Sequence, residues 1–425
     1  MKKNLKRVLC VFMSLVMLLT ASVPNISAAE AEAVSAVDAS KLWTDTYVTS
    51  EKEYRLVSGV IERDIILNNA AKTAQKKCFV MEVDLNNPDV TIIAGYNDYT
   101  INEWKRTPVR EQAYAAEEKR GVNVIGAING DRYNTETGEP AGLLIMDSIV
   151  CHTANGRPFF AILTDGSADI RYANESKADV VEAISGFQIL VKDGKNIAPA
   201  NKLNPRTCIG IKADGTVVMF VVDGRQDPDS VGMDYPEMAA TMLALGCVDV
   251  LELDGGGSST MLAQREASGD LDCRNSPSYG YERTVSSSLL VCTTAKPTGI
   301  FDHITFSETE YIVSPYEAVY VEAMGVDANG YETDFPEGGK LVLSKDNMGS
   351  LKGSNLFVSN GTLGTVNLNY VVGDEIIASA TITITNDADN IVETMFGSVM
   401  DIFYIIINMF KLLIDKFGEK VLGKV

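Results

Sequence analysis

A short apolar run, Val248 to Leu253, passes abruptly into Asp254-Gly255-Gly256-Gly257-Ser258-Ser259-Thr260. Three consecutive glycines after a strand permit positive φ angles and a close backbone approach to whatever lies opposite. They also let successive N–H groups converge, forming a nest that binds anions. Just upstream, residues 234–246 read as the best-marked helix of the chain. Asp234 suits the N-cap, Pro236 the first turn and Glu237 the positive helix end, and Gly246 suits the stop. Capped helix, strand and glycine loop in that order place the carboxylate of Asp254 at a strand end, beside a nest. The run lacks the Lys-Ser or Lys-Thr of a phosphate-binding P-loop and the G-x-G-x-x-G spacing of dinucleotide sites. A tight glycine turn capped by Asp254 would satisfy the same residues without any ligand.

The rest of residues 44–295 alternates strand-like and helix-like segments. Cys78 to Leu85 and Val90 to Ala94 read as strands joined by the turn Asn86-Asn87-Pro88-Asp89. Trp104 to Arg120 reads as a polar helix, and Val122 to Ile128 as a buried strand ending in Asn129-Gly130-Asp131. Asp165-Gly166 and Asp214-Gly215 each separate two apolar runs, which is a hairpin signal. The expected fold class is therefore α+β, a catalytic domain with a mixed, largely antiparallel sheet. After Lys296-Pro297-Thr298-Gly299 the texture changes to short strands and Asn-Gly turns. That pattern predicts a small β-sandwich of immunoglobulin type over residues 300–385.

Both ends read differently. Lys2, Lys3, Lys6 and Arg7 precede an apolar stretch and the small residues Ser27-Ala28-Ala29, so residues 1–29 read as a secretory signal peptide. Residues 30–43 read as a mobile leader. Residues 390–425 form an amphipathic pattern with a very wide apolar face. It predicts a C-terminal helix held at a membrane surface or in a homo-oligomer. The expected location is secreted or cell-surface, on the extracellular side of a bacterial cell. Export permits disulfides, although Cys78, Cys208, Cys247 and Cys292 lie in apolar runs, where cysteine serves as a small core residue.

Composition removes several functions. Acid outnumbers base by 57 to 37, a net charge of −20 that repels phosphate backbones and argues against nucleic-acid binding. Two histidines, His152 and His303, leave little for an imidazole zinc site or a Ser-His-Asp hydrolase. No cofactor or metal is expected. The charged residues instead gather at strand ends: Asn129-Gly130-Asp131-Arg132-Tyr133-Asn134, Asn204-Pro205-Arg206, Asp223-Gly224-Arg225-Gln226, the glycine run, and Arg283. Each has a plainer reading. Asp223-Gly224-Arg225 suits a turn, Arg206 and Arg283 suit surface ion pairs, and Glu237 suits a helix end. Glu252 faces either solvent or the site.

Taken together these runs resemble the phosphodiester glycosidase family over roughly residues 55–293, with N-G-D-R-Y-N, N-P-R-T-C-I-G-I-K, V-D-G-R-Q, L-E-L-D-G-G-G-S-S-T-M and E-R-T-V-S-S-S-L-L-V in order. Family members often carry a second glycine and an aromatic where this chain has Asp131, Arg132 and Tyr133. The resemblance implies hydrolysis of a sugar C1–O bond to phosphate in a carbohydrate phosphodiester. It makes Asp254 the first candidate catalytic carboxylate, with Asp223 and Glu237 next. Phosphate and substrate would be held by Asn129, Asp131, Arg206, Arg225, the Gly255, Gly256 and Gly257 nest, Ser258, Ser259 and Arg283. Two other readings fit the same residues. One is a non-catalytic binder of anionic glycans. The other is a metal-dependent phosphoesterase built on Asp131, Asp223 and Asp254.

Overall fold

The computed structural model describes residues 41–43, 46–97, 103–153 and 156–386. The signal peptide, nearly all of the leader and the C-terminal amphipathic helix anticipated from the sequence lie outside the described residues.

The chain is mostly β, which corrects the α+β expectation. Among the described residues only Val109–Arg120 (α1) and Tyr235–Ala244 (α2) are α-helices. A nine-stranded sheet runs in the order Lys41–Trp43, Thr46–Val57, Val60–Asn68, Lys76–Val83, Val217–Val222, Arg206–Lys212, Cys247–Glu252, Gln188–Lys192 and Lys195–Asn196. Two five-stranded sheets accompany it. One holds Ala168–Arg171, Phe159–Leu163, Val180–Ser185, Leu144–Met146 and Ile149–His152. The other holds Asp272–Cys273, Met261–Ala263, Asn123–Asn129, Ser287–Thr293 and Val90–Tyr96. Pairing in all three is antiparallel rather than mixed. Both Asp-Gly turns close hairpins as read from the sequence, with Gly166 at φ 86° and Gly215 at φ 89°.

The strand Val217–Val222 shows how the layers form. Its six residues are apolar and buried, and they alternate between two cores. Val217, Met219 and Val221 face the five-stranded sheets with Met81, Ile92, Ile128, Phe160 and Leu251. Val218, Phe220 and Val222 face α2 with Met233, Tyr235, Met238 and Met242. Burying a side chain such as Phe220 contributes roughly 1.5–3 kcal/mol. On the far side α1 places Val109, Ala113 and Ala116 on Ile93, Val124, Ala127 and Leu290. The layers thus run helix, sheet, sheet, helix.

One helix is shorter than its sequence predicts, and the other matches its signals. The predicted helix over 104–120 begins only at Val109, because Pro108 occupies the cap with ψ 151° and holds the preceding chain extended. Its C-terminal stop is Gly121 in the left-handed region, φ 65°. In α2 the sequence signals hold closely. Asp234 accepts from the Glu237 N–H, Glu237 answers to the Asp234 N–H, and Gly246 follows at φ 93°.

Residues 301–384 form three small sheets of three, four and three strands around their own core, which includes Phe306, Tyr311, Val313, Phe357, Val366 and Ile382. The sequence predicted a two-sheet sandwich there. One pair, Glu310–Val313 with Glu375–Ile384, is parallel. This part is joined to the sheets before it by specific contacts. Tyr331 donates to the Ala295 carbonyl at 2.8 Å and accepts from Asn123 Nδ2 at 3.1 Å, and Ala267 N–H reaches the Gly330 carbonyl. The cysteines Cys78, Cys151, Cys208, Cys247, Cys273 and Cys292 are free thiols, and the four in apolar runs are buried.

Candidate active site

Strands Asn123–Asn129, Arg206–Lys212 and Cys247–Glu252 end at one place, beside the N-terminus of α2. The buried side chain of Asn129 ties their ends together. Its Nδ2 donates to the Asp254 carbonyl at 2.6 Å, and its Oδ1 accepts from Thr207 Oγ1 at 2.8 Å and from the Thr260 N–H at 3.1 Å. Asn129, expected to touch substrate, is spent on this frame. The Asp254 N–H adds a bond to the Gly130 carbonyl.

Each glycine of the run has its own reason. A Cβ on Gly255 would stand 2.8 Å from the Pro205 carbonyl oxygen and 3.6 Å from Arg206 Cδ. Gly256 has φ 66°, and its Cβ would meet Arg225 Nη2 at 3.2 Å. A Cβ on Gly257 would overlap the ring of Tyr279. The loop is therefore packed directly against Arg206, Arg225 and Tyr279, and Tyr279 in turn lies 5.9 Å from the Arg283 guanidinium. Not all of the nest is open. The N–H groups of Gly256, Ser258 and Ser259 bond to Pro205, Gly255 and Gly256 carbonyls. Cationic side chains, more than free N–H groups, make this place suited to an anion.

The three arginines are held differently. Arg206 is buried, lies 4.2 Å over the Tyr235 ring and donates to the carbonyls of Met233 and Lys202. Arg225 is exposed, has φ 61° and donates twice to Asn204 Oδ1. Arg283 is half-buried, between the rings of Tyr133 and Tyr279, with Nη1 3.4 Å from Ser258 Oγ. Ser259 is buried, and its hydroxyl has no hydrogen-bond partner.

Three carboxyls lie within each other's field. Burial raises the Asp254 carboxyl above its ordinary range, opposed by the Ser258 hydroxyl and the charges of Arg132 and Arg283. Asp131, 2% exposed, is pushed up to about 7 by burial, with Asp254 and Glu252 adding to the rise and Arg157 opposing it. Its Oδ1 accepts from the Arg132 N–H at 2.7 Å and from Arg157 Nη1 at 3.1 Å. Glu252 is fully buried and also raised, chiefly by burial. Its Oε1 accepts from Arg132 Nη2 at 2.9 Å and from the Tyr235 hydroxyl at 3.0 Å. Arg132 lies 3.8 Å over the Phe187 ring, and Arg157 lies on the same ring at 5.5 Å.

The other two catalytic candidates do not join this group. Asp223 is buried, and both of its oxygens are engaged. Oδ1 accepts from Asn275 Nδ2 at 2.9 Å and Oδ2 from the Ser276 N–H at 2.9 Å. Burial pushes it up to about 6. Among the described residues no three His, Cys, Asp or Glu side chains are grouped to hold a metal ion, so the trio Asp131, Asp223 and Asp254 is not assembled as ligands. Glu237 closes the α2 cap and pairs with the buried Lys76 at 3.3 Å. Sequence spacing does not group Glu252, Arg132, Tyr235, Arg157 and Phe187. Glu252 carries a signal as a charge inside an apolar strand, and Arg132 lies in the strand-end run after Asn129. Arg157 arrives from a different sheet with no local mark.

Residues 122–292 match the family model described as phosphodiester glycosidase, a span that contains every residue of the cluster. The chain is 32% identical over 194 residues to the SPbeta prophage-derived uncharacterized protein YomE of Bacillus subtilis (strain 168), covering 41% of this chain and 28% of that one. It is 27% identical over 179 residues to the human N-acetylglucosamine-1-phosphodiester alpha-N-acetylglucosaminidase, covering 36% of this chain and 34% of the enzyme. The chain thus spans about a third or less of the length of these relatives. Among solved structures, the catalytic domain of the zebrafish N-acetylglucosamine-1-phosphodiester alpha-N-acetylglucosaminidase, auto-inhibited by its pro-peptide, aligns with TM-score 0.45 at 19% identity. That alignment covers 60% of this chain and 89% of the zebrafish chain.

Proposed function

Residues 122–292 carry a phosphodiester glycosidase domain, and from that premise we propose that the protein is a hydrolase cleaving the sugar C1–O bond of a sugar-1-phosphodiester. One observation carries the reading. Asp254 stands at a strand end under the charges of Arg132 and Arg283, beside a glycine loop that packs against Arg206 and Arg225.

The chemistry follows from that division. A phosphate diester leaves as a stable anion, so its departure needs charge stabilisation more than proton donation. Arg206, Arg225 and Arg283 supply it, fixed in advance by Met233, Asn204 and Ser258. As the C1–O bond breaks, its electron pair stays on the phosphate oxygen and positive charge grows on C1. The Asp254 carboxylate faces that charge, either bonding to C1 or taking a proton from the attacking water. The oxygen of water ends on C1, and the sugar leaves with a free hydroxyl. Asp131 and Glu252, neighbours of Asp254, are restrained by Arg157 and Arg132, so the cluster does not carry three uncompensated charges.

The name of the human relative supplies the first glycone to test, N-acetylglucosamine. The signal-like residues 1–29 support a reaction outside the cytoplasmic membrane, on a glycan or glycoconjugate at the cell surface. The deciding experiment is turnover of an N-acetylglucosamine-1-phosphodiester in oxygen-18 water. Label on the sugar C1 hydroxyl is the expected result. Label in the phosphate would identify a phosphoesterase, and absence of turnover would leave a binder of anionic glycans.

A further inference from the structure

A second concave site lies apart from the cluster around Asp254. There the strand Thr46–Val57 and the segment after Met261–Ala263 meet residues 305–324. The cavity between them measures about 490 Å³, the size of a small-ligand pocket. None of the residues that line it belongs to the candidate active site. Ion pairs hold its two walls together. Arg265 lies 3.8 Å from Glu308, Lys52 3.5 Å from Glu310, and His303 Nε2 3.1 Å from Glu266 Oε2. A ligand held here would touch both parts of the chain at once.

The charges of the inner wall are matched. The fully buried Glu62 accepts from Arg274 Nε at 2.8 Å, and Asp64 lies 3.5 Å from Arg274 Nη2 and 3.7 Å from Arg265 Nη2. Arg265 also lies 3.5 Å over the Tyr54 ring. These two guanidiniums are thus engaged by carboxylates behind the cavity surface. What remains facing the cavity is an excess of acid. Glu53, Glu266, Asp272, Glu308 and Glu322 line it, against Arg55 alone of the remaining cations. Glu266 is 7% exposed, and its Oε1 has no hydrogen-bond partner, with Arg55 Nε 3.8 Å away. Burial raises the carboxyls of Asp272 and Glu308 above their ordinary range, and a cation arriving beside them would lower both again.

We propose that this cavity binds a linear polyamine, an organic cation with two or more ammonium groups on a methylene chain. Each ammonium donates up to three hydrogen bonds, which suits carboxylates set apart around a wall. Among the described residues no three His, Cys, Asp or Glu side chains are grouped to hold a metal ion, so separated charges fit the arrangement better than one dense charge. Tyr54, the buried Phe306 and Met324 supply apolar surface for the methylenes between the ammonium groups. The net charge of −20 adds a long-range pull on such a ligand. The site does not depend on the hydrolase reading.

Titration calorimetry of the full-length protein with spermidine tests the site. The expected result is saturable binding that magnesium chloride at matched charge weakens by no more than about threefold. Glu308→Gln combined with Glu322→Gln should weaken it about tenfold or more, because two carboxylates of one wall are lost. Arg55→Ala, at a half-exposed position, removes the opposing charge and should tighten binding a few-fold. Thermal denaturation gives a second readout. Spermidine should raise the melting temperature of the parent protein, and raise that of the double variant less. Absence of saturable binding, displacement by magnesium in proportion to charge, or an unchanged affinity in the double variant would overturn the proposal. So would binding of inorganic phosphate that Arg55→Ala abolishes, since that outcome marks an anion site.

Discussion

Arg132 Nη2 stands 2.9 Å from Glu252 Oε1, the same oxygen that accepts the Tyr235 hydroxyl, and the two charged residues come from the ends of strands in different sheets. The pair fastens the two sheets where the candidate site opens. Arg132 keeps 34% of its side chain exposed, but removing it would leave the buried Glu252 carboxylate with only the Tyr235 hydroxyl as partner. Arg132→Met should therefore destabilise the fold by about 3–5 kcal/mol, as is usual for a broken buried pair. Glu252→Gln, which keeps the shape and an acceptor oxygen, should lose less. Urea unfolding midpoints measure both. A loss below about 1 kcal/mol in Arg132→Met would show that the pair is not an essential fastening.

Asp254→Asn keeps volume and removes charge. Turnover of a sugar-1-phosphodiester should fall by a factor on the order of a thousand or more, with binding of the intact diester within a few-fold, because the lost interaction belongs to the charged transition state. Arg225→Ala should weaken binding and rate together. Single-turnover kinetics with calorimetric binding separate the two behaviours. Full activity in Asp254→Asn would move the catalytic role to another carboxyl of the cluster.

The pH dependence of stability has a definite sign at Asp131. Its native carboxyl is pushed up to about 7, well above the ordinary aspartate value of about 3.9 that the unfolded chain keeps. Between those values the native state holds a proton that the unfolded chain has released. Stability from this group is present below about pH 4 and is lost as pH rises toward 7, by at most about 1.4 kcal/mol per pH unit. Asp131→Asn removes that loss. The substituted protein should gain stability relative to its parent as pH rises from 4 to 8. Denaturation midpoints across that range that differ by a constant amount would contradict the assignment.

Asp223→Asn should separate anchoring from chemistry. The substitution replaces one acceptor oxygen by an amide and disturbs either Asn275 or the Ser276 N–H, at a cost of about 1–3 kcal/mol in stability. Turnover of a methyl diester should stay within about tenfold of the parent protein. A loss comparable to that of Asp254→Asn would return Asp223 to the catalytic group.

Much of this was legible where the signal is local. The α2 cap, Gly246, the two Asp-Gly hairpins and the glycine run each act within a few residues, so sequence alone locates them. The prominence of Asp254 and the three arginines came from the same kind of mark, polar residues at strand ends. What stayed hidden depends on distant partners. Asp223 and Glu237 rank behind Asp254 in the sequence, but nothing local says how they differ from it. They differ because Asn275, Ser276 and Lys76 take up their oxygens. The Arg132–Glu252 pair spans 120 positions and leaves no local trace. The helix expected over 104–120 is shorter because Pro108 holds the chain extended until Val109, and the α+β class gives way to mostly β because the remaining segments pair as strands with distant partners.

Strand Val90–Tyr96 hydrogen-bonds to Ser287–Thr293 along its whole length, and Ser287–Thr293 also pairs with Asn123–Asn129. An interior strand of that sheet, between Asn123–Asn129 and the edge strand Val90–Tyr96, is thus supplied by nearly the last segment before residue 295. During synthesis the first of these strands must wait for almost two hundred further residues before its partner exists. Contacts so distant along the chain make for slow closure and a long interval with unpaired edges. Cells producing this protein would need to keep its nascent chain from aggregating until that late strand emerges.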